Sequence, residues 1–181
     1  MAGDWTAAFW FYNLRPNTGW RTGLRGSNTD HQIIVENGSN RLGVYANGNG
    51  NFRPSGFDMN SATYQGWHHI AAVGSGTTTA FYVNGVSVGS SDRKSADNFY
   101  SIGNYQFGTQ QFADRIDEFA AWTRALSASE ITGIYNLQSA GKVSATSSAT
   151  FTPDVVGTYQ AQVTGIKNLY SAAATTSANI T

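Results

Sequence analysis

Residues 102–135, IGNYQFGTQQFADRIDEFAAWTRALSASEITGIY, constrain the fold more than any other stretch of the chain. Arg115, Ile116, Asp117, Glu118 and Phe119 alternate charged and apolar side chains, as a strand does when only one face enters a core. Ser127-Ala128-Ser129-Glu130 follows as a capping box, in which the Ser127 hydroxyl and the Glu130 carboxylate satisfy unpaired helix amides reciprocally. Leu126 and Ile131 occupy the two positions of a hydrophobic staple, which fixes how the chain enters the helix. Ile131, Ile134 and Tyr135 recur at helical spacing and give this short helix, near residues 127–138, one apolar face.

Upstream, the pattern is of short strands. Residues 4–12 (DWTAAFWFY) are apolar on both faces, which suits a strand in the middle of a sheet, covered on both sides or carrying a ligand surface on one. Residues 20–25, 32–35 and 41–46 form further short strands, separated by segments rich in Asn, Asp, Ser and Gly that turn readily. Residues 47–60 read as a long Gly/Asn loop. Residues 67–73 (WHHIAAV) are strongly strand-like, and residues 77–83 and 86–88 flank Asn84-Gly85. That dipeptide is the strongest two-residue hairpin signal, because both central residues of a type I′ turn need positive φ. Residues 99–103 add another strand. Such segments recur at roughly the 8–12-residue spacing of a sandwich or jelly roll. The expected class is therefore all-β: an antiparallel β-sandwich jelly roll over residues 1–140, followed by a β extension over residues 141–181. Residues 139–150 read as a Ser/Ala/Thr linker or edge strand, residues 151–165 as a strand, and residues 171–181 as a soft edge strand or tail.

Composition narrows the function classes. With 11 basic and 11 acidic residues the chain is formally neutral, which argues against nucleic acid as a partner. There is no cysteine, so disulfides and cysteine-based metal sites are ruled out. No apolar run reaches the roughly 20 residues of a membrane-spanning helix, and the sequence has no signal-peptide pattern.

The order WHHIAAV, the hairpin FYVNGV, then IG, IDEF and RALSASEI resembles a laminin-G-like, concanavalin A-type jelly roll. The likeness spans roughly residues 4–138 and is most specific over residues 116–135, which are similar to the last strand and helix of bacterial and viral LamG-like modules and, more distantly, of pentraxins. The resemblance implies two antiparallel sheets, one of them concave, with the helix near an edge. It also implies an extra strand ahead of residues 4–12, which is expected to come from elsewhere or to be missing. Residues 153–159 (PDVVGTY) resemble the corner before the penultimate strand of Ig-like and PKD-like sandwiches. The strands of residues 151–181 are expected to donate into the first sandwich or to pair with another subunit.

The chain offers little for catalysis. Jelly-roll hydrolases set paired carboxylates on one strand face. Asp117 and Glu118 are adjacent, so alternation sends them to opposite faces, and Asp114 stands at a loop boundary. A structural reading, with these carboxylates paired to Arg115 and Arg124 or capping the loop, is preferred. His68 and His69 likewise alternate and cannot chelate one ion together, and His31 is remote in sequence. Calcium enters only through the resemblance: pentraxin-like members hold it with oxygen ligands at positions matched here by Asn28 and Asp30, with Asn104 and Gln106 at a second loop that lacks any carboxylate. The alternative for Asn28 and Asp30 is a pair of Asx turns. No other cofactor is expected.

Carbohydrate binding needs aromatic faces beside amides and hydroxyls. The aromatics outside the core pattern are Trp20, Tyr45, Phe52, Tyr64, Tyr105 and Phe107, while Trp5, Phe9, Trp10, Trp67, Phe81, Phe119 and Trp122 are assigned to the core. Trp20 with Asn17, and Tyr105 with Asn104 and Gln106, are the expected ligand contacts. The leading expectation is a non-catalytic, lectin-like adhesion module on a virion or extracellular surface. Its partners would be a glycan or host polysaccharide, with other subunits reached through residues 151–181 and an oligomer possible. The rival is a structural decoration or fibre-associated subunit without a ligand.

Overall fold

The computed structural model describes residues 3–28, 30–47, 51–139 and 142, and the backbone of residues 159–167 and 170–178; of Phe107 only the backbone is described. The chain divides into two compact units, residues 1–135 and 136–181.

The first unit is a sandwich of two five-stranded antiparallel sheets. Sheet 1 runs in the order β10-β1-β6-β7-β8, from Ala113–Trp122, Trp5–Leu14, Trp67–Ser75, Thr78–Val83 and Val86–Ser91. Sheet 2 runs β5-β4-β3-β2-β9, from Asn51–Asp58, Arg41–Ala46, His31–Val35, Arg21–Gly26 and Phe99–Ile102. Trp5, Phe9 and Phe11 of β1 meet Leu24, Ile33, Val35, Leu42 and Val44 of sheet 2 in one apolar layer. The Asn84-Gly85 hairpin has both residues at positive φ, 50° and 76°, as a type I′ turn demands.

The double-sided apolarity of β1 is explained by the α-helix α1 (Ala128–Ser139), which lies on the outer face of sheet 1. Ala8, Ala71 and Val73 pack with Leu126 and Ile131, and Trp10 stacks on Tyr135 with ring centroids 5.6 Å apart and planes 20° apart. The fully buried Ile131 contributes about 1.5–3 kcal/mol by leaving water. The expected capping box is present: the Glu130 amide donates to Ser127 Oγ at 3.3 Å, and the Ser127 amide donates to Glu130 Oε2 at 2.8 Å. Thr6 of β1 holds the approach to the helix. Its hydroxyl donates to the Arg124 carbonyl at 2.8 Å and accepts the Leu126 amide at 2.9 Å.

Several expectations change. Residues 47–60 are not one loop, because residues 51–58 form β5, an edge strand holding Pro54 and Gly56. Tyr64 belongs to the core, where it meets Phe11, Phe57 and His68. Trp67 is only partly buried and belongs to neither core cluster, whereas Phe119 and Trp122, also partly buried, do pack against the core as expected. Finally, Arg124 pairs with Glu130 at 2.6 Å rather than with Asp117 or Glu118. Strict alternation fails at that carboxylate pair too. The β1–β10 register slips between Ala8 and Trp10, and Glu118 has φ 50°, so it occupies a β-bulge.

In the second unit β11 (Tyr159–Lys167) and β12 (Tyr170–Ala178) pair with each other in antiparallel register from Tyr159↔Ala178 to Lys167↔Tyr170. The corner expected at residues 153–158, like residues 143–152, lies outside the described residues.

Candidate functional site

The outer face of sheet 2 carries a strip of rings that the sequence scatters over more than eighty positions. Phe52 and Tyr45 each meet Trp20 edge-on, at 5.4 and 5.6 Å between centroids. Tyr45 meets His31 at 6.0 Å, and His31 lies over Tyr105 at 5.4 Å. The Arg25 guanidinium then sits 4.9 Å from the Tyr105 centroid and 5.2 Å from that of Tyr100. These arrangements fall within the favourable range for aromatic and cation–π pairs. A glycine makes room for one end: a side chain at Gly43 would run into the Phe52 ring and the Arg53 carbonyl.

Three hollows open along this strip. The first, about 350 Å³, lies between Arg15, Thr18, Trp20, Arg21 and Gln110. The second, about 230 Å³, is lined by Trp20, His31, Tyr45, Asn47, Tyr105 and Gln110. The third, about 870 Å³, is bordered by Arg25, Ser27, Tyr100, Asn104, Tyr105 and Gln106. Trp20 and Gln110 are shared by the first two and Tyr105 by the last two, so the hollows adjoin one another along a trough. No aspartate or glutamate lines any of them among the described residues.

His31 fixes the polarity of the middle hollow. Thr22 Oγ1 donates to Gln110 Oε1 at 2.8 Å and lies 3.1 Å from His31 Nδ1. The one hydroxyl proton is spent on Gln110, so Nδ1–H donates to Thr22 and Nε2 is left as the acceptor. Burial, and secondarily the Arg25 charge, push the His31 pKa down to about 4, which keeps the ring neutral at physiological pH. The trough thus offers ring faces, a neutral imidazole acceptor, amides and hydroxyls.

Of the residues anticipated from sequence, Trp20 and Tyr105 line one hollow together, and Asn104 and Gln106 border the next. Asn17 is elsewhere engaged: its Oδ1 accepts the Gly38 amide at 2.9 Å, tying together two turns beside the trough. Tyr45 and Phe52, named only as aromatics outside the core pattern, join the strip. His31 and Arg25 were missed as site residues. Each lies singly in a short strand, and only the register of sheet 2 aligns them with the aromatics.

Asn28 and Asp30 are organised by Asp97, whose carboxylate accepts from the Asn28 amide at 2.8 Å, from Asn28 Nδ2 at 3.0 Å and from the Asp30 amide at 3.3 Å. Asp30 Oδ1 in turn accepts the Asn47 amide at 2.8 Å. The groups gathered here are N–H donors facing carboxylates, whereas Ca²⁺ requires six to eight converging oxygens. This donor set does not fit the ion. Among the described residues no three His, Cys, Asp or Glu side chains cluster as metal ligands.

Of the acidic residues of β10, none lines the trough, but Asp114 is the ion-pair partner of Arg15 at the first hollow. Asp114 is held by Arg15 at 2.8 Å and Asn13 at 3.1 Å, contacts that lower its pKa. Asp117 and Glu118 stand in the edge strand of sheet 1.

A family model described as the concanavalin A-like lectin/glucanases superfamily (Laminin G 3) matches residues 1–132, and the chain belongs to that family. Its sandwich is similar to that of a heptameric SAP-like pentraxin from Limulus polyphemus, with TM-score 0.52 and 18% identity over 74% of this chain and 70% of that one. A Bacteroides ovatus protein named for a proposed carbohydrate-binding role gives TM-score 0.55 and 15% identity, over 72% of this chain and 40% of that one. A Trypanosoma rangeli sialidase gives TM-score 0.52 and 15% identity, over 74% of this chain but only 23% of the enzyme. At these identities the likeness is one of fold. Among curated protein sequences none matches the chain. No helix among the described residues is long and apolar enough to cross a membrane.

Proposed function

We propose that the sandwich is a non-catalytic glycan-binding module that takes its ligand along the outer face of sheet 2. The observation that carries this reading is the continuous strip from Phe52 through Trp20, Tyr45 and His31 to Tyr105, set in a trough with amide and hydroxyl groups. Sugar rings present an apolar face to aromatics and a rim of hydroxyls to amides, and the trough pairs those two chemistries. Membership of a lectin-containing superfamily supports it, as does the carbohydrate-binding role for which the Bacteroides neighbour is named. The lack of any carboxylate among the lining residues favours binding over glycoside hydrolysis, which needs two of them across the scissile bond.

The expected setting is an extracellular or virion surface, where such a module mediates adhesion to host or neighbouring polysaccharide. The β11–β12 ladder supports a second contact there, by strand addition with another subunit, since a two-stranded ribbon offers two edges for pairing. An oligomer would multiply weak single-site affinity into avidity.

A glycan array tests the reading, probed with the wild-type chain and with Trp20→Ala and Tyr105→Ala. Wild-type binding that both substitutions weaken at least tenfold is expected. No binding by wild type, or binding indifferent to both substitutions, would sink the lectin reading and leave the structural-subunit alternative.

A further inference from the structure

Arg25 is only 4% exposed, yet among the described residues its guanidinium has no carboxylate, carbonyl or hydroxyl partner. Its Nε is buried without a hydrogen bond. The nearest groups are two rings, Tyr105 and Tyr100, which contact the cation but cannot accept its in-plane N–H bonds. A cation withdrawn from water and left unpaired is costly, and such groups in folded proteins are ordinarily matched by an anion. Arg25 borders the hollow of about 870 Å³ at the end of the aromatic strip.

Resting on the glycan-binding reading above, we propose that this hollow receives a carboxylate, so that the ligand is an acidic glycan carrying a uronic or other sugar-acid residue at the Arg25 end. The guanidinium fork matches a planar carboxylate bidentately. The surroundings complete the pocket. The Ser101 hydroxyl lies 3.1 Å from both the backbone carbonyl and the side-chain Oδ1 of Asn104 and shares its one proton between them, which fixes the Asn104 amide at the border of the hollow. Ser27 and Gln106 add a hydroxyl and an amide, and no acidic side chain borders the hollow to repel an anion. Tyr105 is shared with the middle hollow, so the acid sugar and the next unit of the chain would occupy adjacent positions, one on charge and one on rings. Arg25 is thus the specificity determinant, while Trp20 and Tyr45 supply sequence-tolerant stacking.

The test uses an array of matched pairs, each acidic glycan beside its carboxyl-reduced neutral counterpart, with sulfated glycans as a third arm. The wild-type chain is expected to bind the carboxylated member at least tenfold more tightly than the neutral one. Arg25→Gln, checked for folding by its circular dichroism and melting temperature, is expected to abolish that preference. Neutral-only binding overturns the acidic-ligand proposal and leaves the lectin reading standing; no binding to any arm overturns both. A sulfated preference equal to the carboxylated one, or a preference that survives Arg25→Gln, also overturns it. An independent arm follows the Arg25 Nε–H resonance during titration with sodium glucuronate. A shift is expected that neither methyl glucuronate ester nor sodium sulfate reproduces, and no shift, or an equal one with sulfate, counts against the site.

Discussion

Trp20 and Tyr105 face one hollow although eighty-five positions separate them, because β2 lies between β3 and β9 and the loops after β1 and β9 close over the same face. His31 and Tyr45 bridge the two rings, so the pair acts as the ends of one platform rather than as separate surface aromatics.

Substitution at the two ends should therefore affect binding far more than stability. Trp20→Ala and Tyr105→Ala each remove a partly buried ring from the trough. A tenfold loss of affinity or more, about 1.4 kcal/mol, is expected for each, with urea midpoints close to wild type. Calorimetric titration beside chemical denaturation separates the two effects.

Two buried histidines should make the sandwich acid-sensitive. The pKa values of His31 and His69 are both pushed down to about 4, chiefly by burial. The unfolded chain takes up these protons near pH 6.5, before the folded chain can. Their contribution is therefore fully present above pH 6.5 and is lost as the pH falls through about 4, on the order of 3 kcal/mol per ring. Urea unfolding between pH 7.5 and 4.5 should show the decline. Among the described residues His69 has no hydrogen-bond partner for either ring nitrogen, and it packs against Trp10 and Tyr135, so His69→Leu should flatten the curve and leave the chain at least as stable at neutral pH. An unchanged slope in that variant would contradict this account.

The helix entry should depend on a residue far from it in sequence. Thr6→Val strips both the donor to Arg124 and the acceptor of the Leu126 amide, leaving backbone groups unpaired at about 1–3 kcal/mol. Ser127→Ala should cost about 1 kcal/mol as a lost N-cap. Denaturation of the two single variants checks both magnitudes, and Thr6→Val is expected to be the more damaging.

Asp97 should matter to the loop before β3 without any metal. Its carboxylate receives three N–H groups from Asn28 and Asp30, so Asp97→Ala should accelerate amide exchange there and weaken binding in the adjoining hollow. Addition of Ca²⁺ or a chelator should leave the melting temperature and glycan binding of the wild-type chain unchanged. A calcium-dependent rise in either would restore the ion to Asn28 and Asp30.

The parts of this fold that were legible in the sequence are those governed by local chemistry. Asn84-Gly85 dictated its own turn, Ser127 and Glu130 their cap, and the two-sided apolarity of β1 its central place between core and helix. β5 escaped because Pro54 and Gly56 are poor strand formers, tolerated there since β5 is an edge strand with one side unpaired in the sheet order. The site was legible only as a set of surplus aromatics. Trp20 and Tyr105 were identifiable because nothing in the core pattern required them, and Tyr64 met the same criterion yet is a core residue. Arg25 and His31 could not be recognised, because their significance lies in what surrounds them across strands. For Arg25 that is a buried Nε without a hydrogen-bond partner among the described residues, beside two tyrosine rings, a property of three-dimensional neighbours that no spacing rule reports.

The most direct test of the platform is to follow the indole N–H resonances of the five tryptophans while titrating the tightest-binding glycan from the array. Trp20 lies in the trough, whereas Trp5 and Trp10 are fully buried and Trp67 and Trp122 belong to sheet 1. The account predicts a saturable shift of the Trp20 signal, with the other four little changed. A ligand that saturates the protein while leaving Trp20 unmoved, or that shifts Trp67 or Trp122 instead, would contradict it.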